Sequence, residues 1–308
     1  MTILRYSLND PLPADWQEGV LTLGNFDGVH LGHQALLAET ARQAKPFAGP
    51  AIAATFDPSP AQLLRPDLYQ PTLTTIEDRA ELMHAQGIGH VLIFNTSPEL
   101  LQLTARAFFD RILIQQLRVR ALVEGFNFAF GRGREGTIEV LRDFARQAQV
   151  GFTLAPPLEI LGQPVSSSRL RTELLKGCVA DAAVMLGRPY RITGAVGTGQ
   201  RRGRTIGFPT ANLHHIPTLI PGNGVYAVRA WHQGAAWPAA ANVGPNPTFG
   251  EQARKLEVHL IGFQGDLYGQ PLAVEFIAKI RDVRAFSRVE ELVAQIRADV
   301  AAITAILE

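Results

Sequence analysis

The chain has 308 residues, 46% of them hydrophobic and 19% charged, with a formal net charge of +1. That length suits two domains better than one core, and the composition excludes a disordered chain. The near-neutral charge argues against recruitment to nucleic acid or to an anionic membrane surface. Cys178 is the single cysteine, so no intrachain disulfide is expected and a reducing, cytoplasmic setting fits. Residues 1–15 lack the apolar core of a signal peptide, and no apolar run approaches the roughly 20 residues that span a bilayer.

The first clear element is strand, turn and helix. Val20, Leu21 and Leu23 form an apolar run, Gly24-Asn25-Phe26-Asp27-Gly28-Val29-His30-Leu31-Gly32-His33 follows, and residues 33–43 have helix-forming composition. A Gly-rich turn brings backbone N–H groups against phosphate oxygens, and a helix N-terminus favours anions. His30 and His33, three residues apart at that mouth, can each donate a hydrogen bond to a phosphate. A zinc half-site is the competing reading, but the chain has one cysteine and no His-Glu-x-x-His pattern.

Further buried strands are expected at 51–56, 90–94 and 121–125, alternating with helices at 76–86, 105–116 and 138–149 behind Thr75, Thr104 and Thr137. This alternation predicts a doubly wound, Rossmann-like α/β domain with ligands at the carboxyl ends of its strands, where His30 and His33 fall. Past Leu186-Gly187-Arg188-Pro189 the segments become short and rich in Gly and Pro. Strands at 190–196, 224–231, 239–243, 255–263 and 272–280 predict an antiparallel β-barrel. A C-terminal helix over 289–307 is expected, with Ser287-Arg288-Val289-Glu290 as its capping box. The expected domains are therefore 1–187 and 188–308.

Six motifs resemble those of the bacterial bifunctional riboflavin kinase/FMN adenylyltransferases. In the first half, Gly24–His33 resembles the His-x-Gly-His signature of nucleotidyltransferases. Gly125-Phe126-Asn127-Phe128-Ala129-Phe130-Gly131 resembles the family's Gly-x-(Asp/Asn)-Phe-x-Phe-Gly, and Ser166-Ser167-Ser168-Arg169-Leu170-Arg171 its Ser-Ser-Thr-x-(Ile/Val)-Arg. Thr55-Phe56-Asp57-Pro58-Ser59-Pro60 resembles a fourth stretch, but Ser59 stands where the family commonly has histidine. In the second half, Gly203-Arg204-Thr205-Ile206-Gly207-Phe208-Pro209-Thr210-Ala211-Asn212 resembles the riboflavin kinase signature. Ala241-Asn242-Val243-Gly244-Pro245-Asn246-Pro247-Thr248-Phe249 matches a further block. Leu256-Glu257-Val258-His259-Leu260 alternates, setting Glu257 and His259 opposite an apolar face.

The resemblance implies two ATP-dependent transferase reactions with Mg²⁺: phosphorylation of riboflavin to FMN in the second domain, and adenylylation of FMN to FAD with release of pyrophosphate in the first. His30 and His33 are the implied catalytic residues for adenylyl transfer, and Glu257 for the kinase. Gly24, Asn25, Phe26, Asp27, Gly28, Ser166, Ser167, Ser168 and Arg171 are implied to bind nucleotide phosphates in the first half. Gly203, Arg204, Gly207, Phe208 and Pro209 are their counterparts in the second. Asn127, Phe128 and Phe130 are implied for flavin, and Thr210 and Asn212 for the metal ion. Partners are expected to be small molecules alone, with no nucleic acid and no membrane, acting on a monomer or weak homo-oligomer. An enzyme retaining only the kinase activity is the competing expectation, because of Ser59. An RNA-directed protein, the other competitor for a His-x-Gly-His chain, is opposed by the charge and the kinase motif.

Overall fold

The computed structural model describes residues 2–160, 162–198, 202–246 and 251–308. Backbone contacts divide the chain into two units, Met1–Gln70 with Thr74–Val165 and Pro71–Leu73 with Ser166–Glu308. Gly199 and Arg201 beside the kinase signature, and Pro247, Thr248 and Phe249 of the later block, lie outside the described residues.

In the first unit, β1 (Thr2–Tyr6), β2 (Val20–Leu23), β3 (Ala51–Asp57), β4 (His90–Asn95), β5 (Ala121–Gly125) and β6 (Gly151–Ala155) form one parallel sheet in the order β1-β4-β3-β2-β5-β6. The central strands are largely apolar and mostly buried because both faces are covered. Leu21, Ile52, Leu92 and Leu122 pack into one core; Val20, Ala53, Val91 and Val123 pack into the other. The two edge strands, β1 and β6, escape sequence reading because most of their residues are exposed or half-buried. Thr75, Thr104 and Thr137 cap their helices as expected, accepting from the amides of Asp78, Ala107 and Val140. The middle of these helices starts as an α-helix over Ala105–Phe108 and widens to a π-helix over Phe109–Gln116. Strands β2 and β5 are neighbours, and the connections leave them in opposite directions across the sheet. That is the switch point at which a crevice opens in such folds.

A two-stranded hairpin, β7 (Glu159–Ile160) with β8 (Gln163–Pro164), follows β6. In the second unit, β9 (Tyr190–Gly197), β10 (Ala211–His214), β11 (Gly224–His232), β12 (Ala235–Asn246), β13 (Glu251–Leu260) and β14 (Pro271–Arg281) close into a barrel in the order β10-β13-β12-β11-β14-β9. Tyr226, Val228, Val258, Val274 and Phe276 are fully buried in it. The helices Ser167–Lys176 and Val179–Leu186 belong to this unit, and the second packs on β14 and β9.

The C-terminal helix spans Val289–Leu307, as its apolar stripe predicts. Its expected capping box is corrected. The N-cap is Arg288, in an extended conformation with no side-chain cap hydrogen bond, so Ser287 lies one residue too early to reach the first-turn amides. Glu290 and Glu291 in the first turn complement the helix dipole instead. The helix is held to the barrel by Arg281, whose Nη2 and Nε donate to the Asp299 carboxylate at 2.8 and 3.0 Å.

Candidate active sites

In the first unit, β2 ends at Leu23 and the chain folds through the turn into the helix Leu31–Ala44. The turn holds Phe26 at φ +46° and Val29 at φ +40°, left-handed conformations that are costly for such side chains. Both side chains are buried to 1% exposure or less, and that burial offsets the strain. Beneath the turn, Arg79 and Asp27 are buried together, with Nη2 3.3 Å from Oδ1. Asp27 Oδ1 also accepts from the Thr74 amide at 3.2 Å, and Thr55 Oγ1 donates to the Asn25 carbonyl at 3.1 Å. Asp27 therefore organises the turn through its carboxylate. Arg79 went unnoticed in the sequence; its signal is a lone arginine among Ala80 and Met83 on the buried face of its helix.

Two glycine amides of this turn are already engaged. The Gly24 amide donates to the Ala54 carbonyl at 3.0 Å and the Gly28 amide to Thr74 Oγ1 at 3.2 Å. His30 is the N-cap, and its Nδ1 accepts from the His33 amide at 3.2 Å. An accepting nitrogen carries no hydrogen, so the neutral His30 ring presents Nε2–H as its donor. The two imidazoles stack at 3.6 Å with 17° between planes, and His33 meets the Phe26 ring edge-on at 5.2 Å. A Cβ on Gly32 would lie 3.2 Å from the His30 ring, so glycine leaves that ring its place. Burial first, then His30 and Arg79, hold His33 well below the usual histidine range. The pair is thus two neutral imidazoles at the N-terminus of a 14-residue helix. Such an arrangement can donate hydrogen bonds to a phosphate, with favourable dipole potential behind them.

Across the switch point lies a carboxyl group that sequence reading passed over. Pairing of β2 with β5 stops after Leu21 opposite Leu122. Beyond it, the fully buried Glu124 side chain accepts from the Leu23 amide at 2.9 Å, replacing the missing rung. Burial raises the Glu124 carboxyl well above its ordinary value. The folded chain therefore keeps a proton that the unfolded chain releases above about pH 4.3. The associated stability is complete below that pH and falls as pH rises toward the raised value. Glu124→Gln keeps the acceptor without the proton. It is expected to raise the first unit's melting temperature by about 2 to 4 °C at pH 8 and to leave it unchanged at pH 4, as read by calorimetry. An equal shift at both pH values would show that Glu124 is not held protonated.

After β5, Phe126 and Asn127 are exposed, whereas Phe128 and Phe130 stack at 5.6 Å and Phe130 joins the core. Ser59 is the N-cap of the short helix Pro60–Leu64 and makes no side-chain cap hydrogen bond. Ser166 caps its helix by accepting from the Arg169 amide at 3.2 Å, and Arg171 Nε donates to the Pro71 carbonyl at 3.4 Å. Ser166, Ser167, Ser168 and Arg171 belong to the second contact unit.

In the barrel, strand register assembles the other constellation. Asn212 on β10 stands opposite Glu257 on β13, and Glu257 stands opposite Asn242 on β12. Leu256, Val258 and Leu260 are buried while Glu257 and His259 are half-buried, which is the expected alternation. Directly opposed residues have Cβ atoms about 4.5 to 5.5 Å apart, so three polar side chains form one row across three strands. Asn242 is the member of that row to which the sequence alone attached no role. The signature loop before β10 closes on itself, with the Phe208 amide donating to the Gly203 carbonyl at 2.7 Å. Any Cβ on Gly203 would lie 2.2 Å from the Phe208 oxygen, and Gly207 sits at φ +88°, so both positions require glycine. Arg204 and Pro209 are exposed beside it.

Residues 12–169 match the FAD synthetase family and residues 186–307 the riboflavin kinase family. The bifunctional riboflavin kinase/FMN adenylyltransferase of Pseudomonas fluorescens is 39% identical over 292 residues, covering 93% of this chain and 92% of that protein. Its namesake from Escherichia coli K12 is 37% identical over 285 residues, 92% of this chain and 91% of that one. A crystal structure described as a macrolide-efflux protein from Streptococcus pneumoniae superposes with a TM-score of 0.86 at 32% identity, over 96% of this chain and 97% of that one. Among the described residues of this chain, no helix is long and apolar enough to cross a membrane. With an adenylyltransferase domain and a kinase domain both present at this level of identity, the chain belongs to the bifunctional riboflavin kinase/FMN adenylyltransferases.

Proposed function

We propose that the two steps of FAD synthesis are divided between the histidine turn and the barrel row. Riboflavin and ATP give FMN and ADP at Thr210, Asn212 and Glu257; FMN and ATP give FAD and pyrophosphate at His30 and His33. The observation that carries this division is the stacked His30–His33 pair at a helix N-terminus, in a chain whose other half opposes Asn212 to Glu257. We put the functional boundary near residue 187; the riboflavin kinase family match, which starts at residue 186, supports it.

In adenylyl transfer, an FMN phosphate oxygen attacks the α-phosphorus of ATP and the bond to the β-phosphate oxygen breaks. No protein nucleophile takes part, so the protein contributes alignment and donors for the charge that develops. His30 Nε2–H and His33 supply those donors. Gly24, Asn25, Phe26, Asp27 and Gly28 shape the floor on which the nucleotide lies. Ser166, Ser167, Ser168 and Arg171 are assigned to phosphate, Asn127, Phe128 and Phe130 to the flavin.

In the kinase step, Glu257 accepts the proton from the riboflavin 5′-hydroxyl as that oxygen attacks the γ-phosphorus. Gly203, Arg204, Gly207, Phe208 and Pro209 cradle the nucleotide. The Thr210 hydroxyl and Asn212 carboxamide are hard oxygen donors two residues apart, the chemistry that Mg²⁺ takes. Bound there, Mg²⁺ supplies charge neutralisation for the ATP phosphates. We place the enzyme in the cytoplasm as a monomer or weak homo-oligomer acting on small molecules alone, in keeping with its single cysteine and net charge of +1.

The test is chromatography of products from the chain incubated with riboflavin, ATP and Mg²⁺. FMN followed by FAD is the expected result. FMN alone would leave a kinase that has lost adenylyl transfer and would turn attention to Ser59.

A further inference from the structure

His259 lies two residues beyond Glu257 on β13, on the same outward side. The β10–β13 rungs run Leu213–Leu256, Asn212–Glu257 and Ala211–Val258, and β10 begins at Ala211. The next rung would join Thr210 to His259, but backbone pairing has ended. A side chain takes its place: His259 Nδ1 lies 2.7 Å from the Pro209 carbonyl oxygen. A carbonyl only accepts, so Nδ1 carries the hydrogen and donates, and the tautomer is set by this contact. The imidazole also meets the Phe208 ring edge-on, at 5.5 Å and 77°. One side chain on the strand of the candidate base therefore holds two successive residues of the signature loop.

The consequence lies in the residue that follows. Proline has no N–H of its own, so the segment before Thr210 cannot be held by an amide at residue 209. Its carbonyl is the remaining main-chain handle, and the planar Pro209–Thr210 peptide fixes where the Thr210 amide and Cα stand. Thr210 in turn leads directly into Ala211 and Asn212, whose place opposite Glu257 is set by strand register. We propose that His259 is a positioning residue of the kinase site, its Nδ1–H holding the Pro209 carbonyl so that Thr210 and Asn212 are presented to the nucleotide beside Glu257. This rests on the assignment of Thr210 and Asn212 to the nucleotide's metal and phosphates.

The full chain tests it, with FMN adenylylation as an internal control. His259→Phe keeps a flat ring against Phe208 but removes the donor. It is expected to raise the KM for ATP in riboflavin phosphorylation about tenfold, the equivalent of one hydrogen bond, while adenylylation of supplied FMN is unchanged. His259→Asn places an amide donor near the position of Nδ1 and is expected to recover most of that loss. An unchanged KM in His259→Phe would overturn the proposal, as would equal impairment of the Phe and Asn variants, which would mean that only the ring's packing matters. Asn212→Ala separates the two levels. If it impairs phosphorylation while His259→Phe does not, the positioning role fails and the site assignment stands. If Asn212→Ala is itself without effect, the assignment and the positioning role fall together.

Discussion

Replacing His33 with alanine is expected to lower FAD formation about 100- to 1,000-fold, the usual cost of losing one preorganised donor from a site of developing charge. The same molecules should go on phosphorylating riboflavin, because the barrel contains none of the residues around His33. The large effect on rate contrasts with a small one on stability. His33 is half-buried, and its stacking partners His30 and Phe26 contribute about 0.5 to 1.5 kcal/mol each as aromatic pairs. Domains typically hold about 5 to 15 kcal/mol in reserve. A second readout comes from pH. The folded chain resists protonating His33, whereas the unfolded chain takes the proton below about pH 6.5. Wild-type stability should therefore fall as pH drops through that range, and His33→Ala should fall less steeply. A folded variant with undiminished FAD synthesis would remove His33 from the site; one that lost both activities would abolish the two-site division.

Glu257→Gln should show the opposite pattern. FMN formation from riboflavin is expected to drop about 100- to 10,000-fold, the range contributed by a positioned general base. FAD formation from supplied FMN should persist. Glutamine keeps the length and the outward placement on β13, between Asn212 and Asn242, so strand pairing on both sides is untouched. It retains hydrogen-bonding capacity but not the ability to take a proton at neutral pH. Measuring kcat and KM separately discriminates the roles. A base predicts loss in kcat with the KM for riboflavin nearly unchanged, whereas a binding group predicts the reverse. Retention of full kcat would show that the proton leaves by another route.

Much of this molecule was legible in one dimension. The four central strands of the sheet announce themselves because burial on both faces demands predominantly apolar runs. The barrel strand carrying Glu257 does so because one buried face demands alternation. The helix caps Thr75, Thr104 and Thr137 are equally local, since each bond spans only three residues. The edge strands β1 and β6 were missed for the converse reason: their pairing comes from a neighbour distant in sequence, and their exposed residues carry no pattern. At the C-terminal helix, a Ser-x-x-Glu spacing suggested a cap one residue from where the chain enters the helix.

For the sites, the motifs by themselves determined which residue types are present and which half of the chain each chemistry belongs to. Composition, spacing and local turn preference are all read along the chain, and so was the place of His30 and His33 at the end of a strand. What only the tertiary structure decided is which groups remain available. Gly24 and Gly28 looked like phosphate donors, but their amides are taken by Ala54 and Thr74. Asp27 looked like a ligand-binding group, yet it is buried against Arg79, 52 residues away. Glu124 carried no signal in the sequence, yet it bridges to Leu23 across 101 residues. Asn212, Glu257 and Asn242 became one row only through barrel register, and His259 acquired a partner in Pro209 through the same pairing. Hydrogen bonding and desolvation act between atoms near in space, and these pairs are brought together by the packing of the folded core, a property that no local window of sequence contains.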